Sequence, residues 1–174
     1  MLNKINPSLG NLLPYLYYES INEENLIIVD YENIQFCMHL LRKHIGLRFN
    51  LLTCISGVDL LVEKYRFTIV YELLSLNFNL RIRVKLFMND IVRLPSITSI
   101  FINANWWERE VWDLFGIFFK GHPDVRRILN DYSFEGYPIR KDFPLTGFVE
   151  LYYNQHRRLV TYQEVQLTQS YRVF

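Results

Sequence analysis

Apolar residues in this chain recur first at helical spacing and then at every second position, so a helix should give way to a sheet. Ile34, Cys37, Met38 and Leu41 share one face of a 3.6-residue repeat, which predicts a helix over Tyr31–His44. Asp30 is its candidate N-cap, and Gly46 stands where a C-terminal stop belongs. From Phe49 the period becomes two. Phe49–Ser56, Tyr65–Leu74 and Phe78–Phe87 are predicted strands, and the last is the clearest. There Phe78, Leu80, Ile82, Val84 and Leu86 alternate with Asn79, Arg81, Arg83 and Lys85. The short link Ser75–Asn77 predicts a hairpin. One basic face points to an antiparallel sheet covered by helices on a single side. Arg81, Arg83 and Lys85 then form a solvated face or, alternatively, a patch for a partner.

The flanking segments are less regular. Ser8–Tyr18 reads as a short helix interrupted by Pro14, and Leu26–Val29 as a short strand. Pro95-Ser96 opens a helical stretch with Ser96 as candidate cap. Asn105 does the same for a helix over Trp106–Phe115, which Gly116 ends, and His122–Asn130 could hold one more. Beyond Asp131 periodicity fades, and Pro138 and Pro144 forbid a continuous helix. Val149–Tyr153 and Leu159–Val165 predict a loose hairpin around Asn154, Gln155 and His156. The expected fold class is α+β: a mostly antiparallel sheet of about four strands covered by helices. A short-helix segment beginning near 105 and an extended C-terminal tail follow. The division is one domain over 1–130 and a tail over 131–174.

Composition narrows the function. Half of the 174 residues are hydrophobic and 16% are aromatic, which excludes a disordered chain. Nineteen Lys and Arg against eighteen Asp and Glu leave a net charge of +1, unlike the basic excess of a duplex-nucleic-acid binder. Cys37 and Cys54 are too few for an iron–sulfur cluster, a Cys-rich zinc site or a disulfide framework. His39, His44, His122 and His156 lack ligand spacing, and no glycine-rich nucleotide cradle occurs. The amino end, MLNKINPSLG, is neither a secretory signal nor a transit peptide. Uncharged runs such as Leu94–Trp107 stop short of the roughly 18 to 20 apolar residues that span a bilayer. Ala104 is the only alanine, while Asn occurs 14 times and Ile 16, a bias that suits an AT-rich organellar gene.

Charge concentrates between 105 and 145. Glu108, Glu110, Asp113, Asp124, Asp131, Glu135 and Asp142 face Arg109, Lys120, Arg126, Arg127, Arg140 and Lys141, interleaved with Trp106, Trp107, Trp112, Phe115, Phe118 and Phe119. Charges among so many aromatics must be paired when buried, because an orphaned one costs several kcal/mol. Structural ion pairs are therefore expected, with Arg109 as a buried pairing hub between Glu108 and Glu110. The enzymatic alternative uses Glu110 and Asp113, three apart on one helix face, with His122 as a metal or acid–base group. Glu108 and Glu110 point about 200° apart and form no dyad. His122, before Pro123, reads as a turn residue or hydrogen-bond donor.

The run Ala104–Leu129, ANWWEREVWDLFGIFFKGHPDVRRIL, resembles the signature of the thirty-kilodalton-subunit family of proton-pumping NADH:ubiquinone oxidoreductase, respiratory complex I. The likeness continues through GYPIRKDFPLTG at Gly136–Gly147, the approach Pro95–Thr98 and the tail TQSYRVF. An E-R-E-x-x-D-x-x-G-I-x-F-x-G-H-P run followed by P-x-R-K-D-x-P is highly specific. Length, composition and amino end fit the mitochondrially encoded members. The resemblance implies a core subunit of the hydrophilic arm on the matrix face of the inner membrane, packed against the forty-nine-kilodalton subunit. FMN and iron–sulfur clusters would sit on partner subunits, with no catalytic, cofactor or metal residue on this chain. Structural pairing and contact between subunits would fall to Glu108, Arg109, Glu110, Asp113, Gly116, His122, Pro123, Arg127, Pro138, Arg140, Lys141, Asp142 and Pro144.

Competing expectations are a homologous subunit of a chloroplast NADH-like complex or membrane-bound hydrogenase, an RNA-binding α/β module, and a hydrolase using Glu110 and Asp113. No K/R-G-F-G-F-V-x-F strand supports the RNA reading. The aromatic tail, with Tyr152, Tyr153 and Tyr162 among others, is expected to lie along a partner, since a free one would expose much apolar surface.

Overall fold

The computed structural model describes residues 17–21 and 24–172. Its centre is a five-stranded sheet in the order β1-β2-β5-β4-β3, with β1 Tyr17–Ile21, β2 Glu24–Ile28, β3 Leu51–Asp59, β4 Phe67–Ser75 and β5 Leu80–Met88. Three of its pairings are antiparallel and one, β2 with β5, is parallel. The parallel pair follows from the crossover through helix α1, Ile34–Lys43, because parallel neighbours need a long connection. The α+β class and the mostly antiparallel sheet are as the alternation predicts. The extra strand comes from a segment given to a helix: Tyr17 and Tyr18 belong to β1, and the rest of the expected Ser8–Tyr18 helix lies outside the described residues.

One face of the sheet carries the core. Ile82, Val84, Leu86 and Met88 of β5 join Phe67, Ile69, Tyr71 and Leu73 of β4, and α1 adds Ile34, Cys37, Met38 and Leu41. Burying a side chain of this size contributes about 1.5–3 kcal/mol, so these positions dominate the fold's stability. The alternation holds over Leu80–Met88, with Arg81 exposed and Arg83 and Lys85 half-buried, but the expected start of the strand lies in the turn, where Phe78 is exposed and Asn79 takes a positive φ of 49°. Arg83 is ion-paired to Glu72 across the β4–β5 ladder at 2.7 Å, so it is no free cation.

The helix ends differ from expectation. Asp30 precedes a 3-10 turn, Tyr31–Asn33, and its side chain makes no capping bond. The helix stops at His44, whose backbone is already extended (φ −62°, ψ 128°). Gly46 does not supply a left-handed cap; Arg48 takes the positive φ instead, at 44°. The second helix, α2, runs Ala104–Phe115, with Asn103 at the cap position in place of Asn105. Asn103 makes no cap bond because its amide donates to the Leu52 carbonyl, where the β3 register slips by a bulge.

Gly116 ends α2 in the left-handed conformation (φ 74°), as glycine allows. Gly57 matters for packing. A Cβ there would stand 2.9 Å from the Phe115 ring, so its bare backbone lets the end of α2 close on β3.

Two predicted helices are missing. Ser96 does not cap one: β6, Leu94–Pro95, pairs in parallel with β7, Phe119–Lys120, and the Ser96 amide donates to the Lys120 carbonyl at 2.9 Å. His122–Asn130 is irregular because its last three amides are taken by a side chain. The C-terminal hairpin forms as expected, as a separate two-stranded sheet of β8, Val149–Asn154, and β9, Leu159–Glu164.

Candidate functional site

Part of the dense charge of the 105–145 segment assembles around α2 as two buried polar clusters and a third, partly exposed one. Glu108, Arg109 and Asp113 are all buried on this helix. A buried charge survives only with compensating partners, and each of these has its own set.

Asp113 organises the largest cluster. Oδ2 accepts the amides of Ile128, Leu129 and Asn130, at 3.2, 2.8 and 3.0 Å. Oδ1 accepts Arg127 Nη1 at 2.8 Å and Asn130 Nδ2 at 3.0 Å. Burial pushes this carboxyl up, but the Asn130, Leu129 and Ile128 amides and the Asn130 side chain outweigh it and hold it below the ordinary aspartate value. Arg127 also donates to the Gly136 carbonyl and lies among the rings of Trp112, Phe134 and Tyr137 at 5.7 to 5.8 Å. The aromatic density of the signature thus has an electrostatic use, since ring faces attract guanidinium ions. A carboxylate with five donors has no lone pair left for a metal or a substrate proton.

Glu108 forms the second cluster. It accepts the Ser96 hydroxyl at 2.6 Å and the Ile97 amide at 2.8 Å, tying the β6 strand to α2. Burial pushes its carboxyl up to about 7, against the pull of those two donors. His122 Nε2 stands 4.0 Å away and bonds the Asn105 carbonyl at 3.1 Å, while Nδ1 accepts the Asp124 amide. Those partners define the neutral ring: Nδ1 accepts, so Nε2 carries the proton and donates. His122 is therefore the hydrogen-bonding turn residue of the expectation, and it stands by Glu108, not by Glu110 and Asp113. Tyr71 is fully buried beside this cluster, and its hydroxyl has no hydrogen-bond partner.

The third cluster joins the start of the tail to one end of the sheet. Arg66 pairs with Asp59 at 2.9 Å and with Asp142 at 2.9 Å. Arg140 pairs with Asp90 at 3.0 Å, donates to the Phe115 carbonyl at 2.6 Å, and stacks over Tyr137 and Phe67. The Lys141 backbone amide donates to Asp59 at 2.8 Å, while its side chain is exposed. Asp59 is held low chiefly by its bond to Arg66, with the Lys141 amide helping and burial opposing.

The geometry corrects one reading and extends others. Arg109 is buried, as expected, but it pairs with neither Glu108 nor Glu110. Its Nε donates to the Arg126 carbonyl at 3.1 Å and its guanidinium covers the Trp106 ring at 5.2 Å. Flanking residues on a helix point away from each other, which is why sequence adjacency misleads here. Glu110 is half-buried and forms no ion pair among the described residues. Pro123 is exposed, while Pro138 and Pro144 are half-buried, and the Pro144 carbonyl accepts the Gly147 amide at 3.0 Å. Gly116 is crowded by Tyr137 and Arg140. Sequence reasoning missed Asp59, Arg66, Asp90, Ser96 and Asn130 as members of these clusters. No local spacing marks them, because each meets its partner across the fold.

Among the described residues no group of three His, Cys, Asp or Glu side chains could hold a metal ion, and no helix is long and apolar enough to cross a membrane. Fold and site together define an α+β scaffold whose signature charges act as internal fasteners. Sequence comparison places that scaffold. The profile of the family described as respiratory-chain NADH dehydrogenase, 30 Kd subunit, matches residues 27–149, so the chain belongs to that family. It is 49% identical over 142 residues to NADH-ubiquinone oxidoreductase subunit 9 of Reclinomonas americana, covering 82% of this chain and 70% of the relative. An NADH-quinone oxidoreductase subunit of Brucella abortus is 46% identical over 176 residues, covering 96% and 87%. The NADH dehydrogenase [ubiquinone] iron-sulfur protein 3 of Solanum tuberosum is 48% identical over 134 residues, covering 77% and 70%.

Proposed function

We propose that this chain is a core, non-catalytic subunit of the hydrophilic arm of proton-pumping NADH:ubiquinone oxidoreductase, supporting electron transfer from NADH to ubiquinone without a redox centre of its own. Family membership gives the complex. The observation that carries the non-catalytic part is that internal bonds take up the carboxylates of Glu108 and Asp113, above all the five donors on Asp113. The name of the potato relative mentions iron–sulfur, but a four-thiolate cluster does not fit here: the sequence holds two cysteines. Burial pushes the Cys37 thiol up to about 12, opposite to what a thiolate ligand requires. FMN and the clusters belong to partner subunits in this reading. Relatives named as ubiquinone and quinone oxidoreductases favour this complex over a hydrogenase.

Its partners are the other subunits of the complex, with the forty-nine-kilodalton subunit as the principal neighbour, and its place is the matrix face of the mitochondrial inner membrane. The compositional bias supports an organelle-encoded gene. The thirteen signature residues hold the α2 region and the tail in the shape that neighbours meet. Native gel electrophoresis of the source membranes with mass spectrometry is the test. The chain should co-migrate with flavin- and cluster-bearing subunits, and the purified chain should carry neither group. Stoichiometric iron or flavin on the isolated chain, or migration apart from any NADH-oxidising assembly, would refute the reading.

A further inference from the structure

Glu108 and Asp113 both have fully buried side chains on α2, yet their surroundings differ in kind. Asp113 has five donors, one of them a guanidinium. Glu108 has two, the Ser96 hydroxyl on Oε2 and the Ile97 amide on Oε1, and both are neutral. Among the described residues no Lys or Arg is ion-paired to it. A buried carboxyl with so little compensation sheds its charge by keeping a proton, in line with its rise to about 7.

The other titratable and charged groups around it leave that proton in place. His122 Nε2 is 4.0 Å from Oε2, but its two ring nitrogens serve the Asn105 carbonyl and the Asp124 amide. A proton on Nδ1 would set two donors against each other, so the ring stays neutral. From β4, Tyr71 feels the Glu108 charge, but its buried hydroxyl makes no hydrogen bond. From α1, Gln35 donates to the Ser96 carbonyl and Arg42 to the Ile100 carbonyl. Lys120 of β7 is exposed, and Arg109 of α2 is engaged with Trp106 and the Arg126 carbonyl.

A hydroxyl chain leads outward from the carboxyl. Ser96 Oγ stands 2.6 Å from Glu108 Oε2 and 2.9 Å from Thr98 Oγ1, and it accepts the Thr98 amide at 3.2 Å. Thr98 is half-buried and is followed by the exposed Ser99. With the carboxyl ionised, Ser96 donates to Glu108 and accepts from the amide and the hydroxyl of Thr98. With the carboxyl protonated, Glu108 donates to Ser96, which accepts from the same amide and donates to Thr98. In both arrangements Ser96 donates once and accepts twice, its full capacity, and no heavy atom has to move.

We propose that Glu108, Ser96 and Thr98 form a proton-binding site, in which the buried carboxyl exchanges its proton with solvent along the two hydroxyls. On release, the O–H bond at Oε2 breaks and its proton passes to Ser96 Oγ. The Ser96 proton passes to Thr98 Oγ1, and the Thr98 proton leaves to water. Uptake is the reverse, so the chain gains one proton as pH falls through neutrality. The site lies within this chain and does not depend on the subunit role.

Infrared pH titration of the purified full chain reads the site. A protonated-carboxyl band should fade as pH rises, with a midpoint near 7, and Glu108→Gln should lack it. The glutamine amide donates to Ser96 as the protonated carboxyl does, so this variant keeps the fold, which thermal melting checks. A pH jump then gives the rate. Thr98→Val keeps the Glu108–Ser96 contact but removes the outer hydroxyl, and should slow proton release at least about tenfold, the change that about 1.4 kcal/mol of barrier produces. Thr98→Ser should restore the wild-type rate. Both protonation states lose one bond in Thr98→Val, so the midpoint should shift by less than about half a unit.

A band that persists in Glu108→Gln would overturn the inference. So would nitrogen NMR showing a protonated His122 ring beside an ionised Glu108 at neutral pH. A wild-type rate in Thr98→Val would show that Thr98 only packs, and the relay would fail. The Thr98 variants are read on the native band, so the test stands even if Glu108→Gln does not fold.

Discussion

Replacing Asp113 with asparagine removes one charge and keeps the shape, so it isolates the electrostatic part of the largest buried cluster. Oδ2 accepts three backbone amides and Oδ1 accepts Arg127 and the Asn130 side chain. An asparagine must present an –NH2 group at one of these two sites. Turned one way, the –NH2 opposes three N–H donors; turned the other, it opposes Arg127 and Asn130. In either orientation the Arg127 guanidinium, whose side chain is only 14% exposed, loses its counter-charge. Breaking one partner of a buried pair costs about 3–5 kcal/mol, and the opposed hydrogen bonds to a charged group give a similar figure at roughly 1.5–3 kcal/mol each.

Asp113→Asn should therefore destabilise the chain by about 3–5 kcal/mol and lower Tm by roughly 6–20 °C, at about 2–4 °C per kcal/mol for this size. Far-UV circular dichroism reads the melt, and fluorescence of Trp112, which Arg127 overlies, reports the local change. The pH dependence supplies a second check. Because the folded carboxyl lies below the ordinary 3.8, its contribution is complete above that value and is lost as pH falls through the folded one. Wild type and variant should thus converge in strong acid. A neutral-pH Tm within about 2 °C of wild type would sink the argument that this carboxylate organises the 128–130 segment.

Four further outcomes are expected. Glu108 has its folded carboxyl raised from 4.5 to about 7, so the native state holds the proton longer and stability should fall as pH rises through that window, by up to about 3 kcal/mol; in Glu108→Gln this slope should vanish, and an unchanged slope by chemical denaturation would contradict it. Tyr71→Phe removes a buried hydroxyl with no partner and should leave stability unchanged or raise it by about 1 kcal/mol; a loss above that would reveal a bond to that oxygen. Arg140→Ala releases the Asp90 pair and the Phe115 carbonyl, so limited proteolysis of the purified chain should cut faster between 131 and 148 with little change in the sheet's melting, and equal cutting would show the anchor to be idle. Arg109→Ala strips the cover from Trp106 and leaves the Arg126 carbonyl without its donor, which should reduce assembled complex while what assembles keeps near-normal turnover; full assembly with turnover abolished would indicate a direct catalytic role.

Local pattern was enough for the sheet's central strands and the hairpin of the tail. Period-two alternation in residues 80–87 and helical spacing at Ile34, Cys37, Met38 and Leu41 are short-range signals, and short-range geometry obeys them. The same reading established that the buried charges between 105 and 145 need partners, because aromatic neighbours leave no water to solvate them. It did not establish which partners. Adjacency assigns Arg109 to Glu108 and Glu110, yet its contacts lie at Arg126 and Trp106, since consecutive helix positions diverge.

Packing across the fold made those matches and removed two expected helices in doing so. Ser96 and Asn130 have the chemistry of helix caps and turns, but Glu108 claims the hydroxyl of the first and Asp113 the amide of the second. Asn103 gives up capping α2 to serve the Leu52 carbonyl across the fold. A buried carboxylate in need of donors outweighs a marginal short helix, whose nucleation is unfavourable on its own. That competition is settled only when the sheet and α2 bring the competing groups together, so no window of sequence records its outcome.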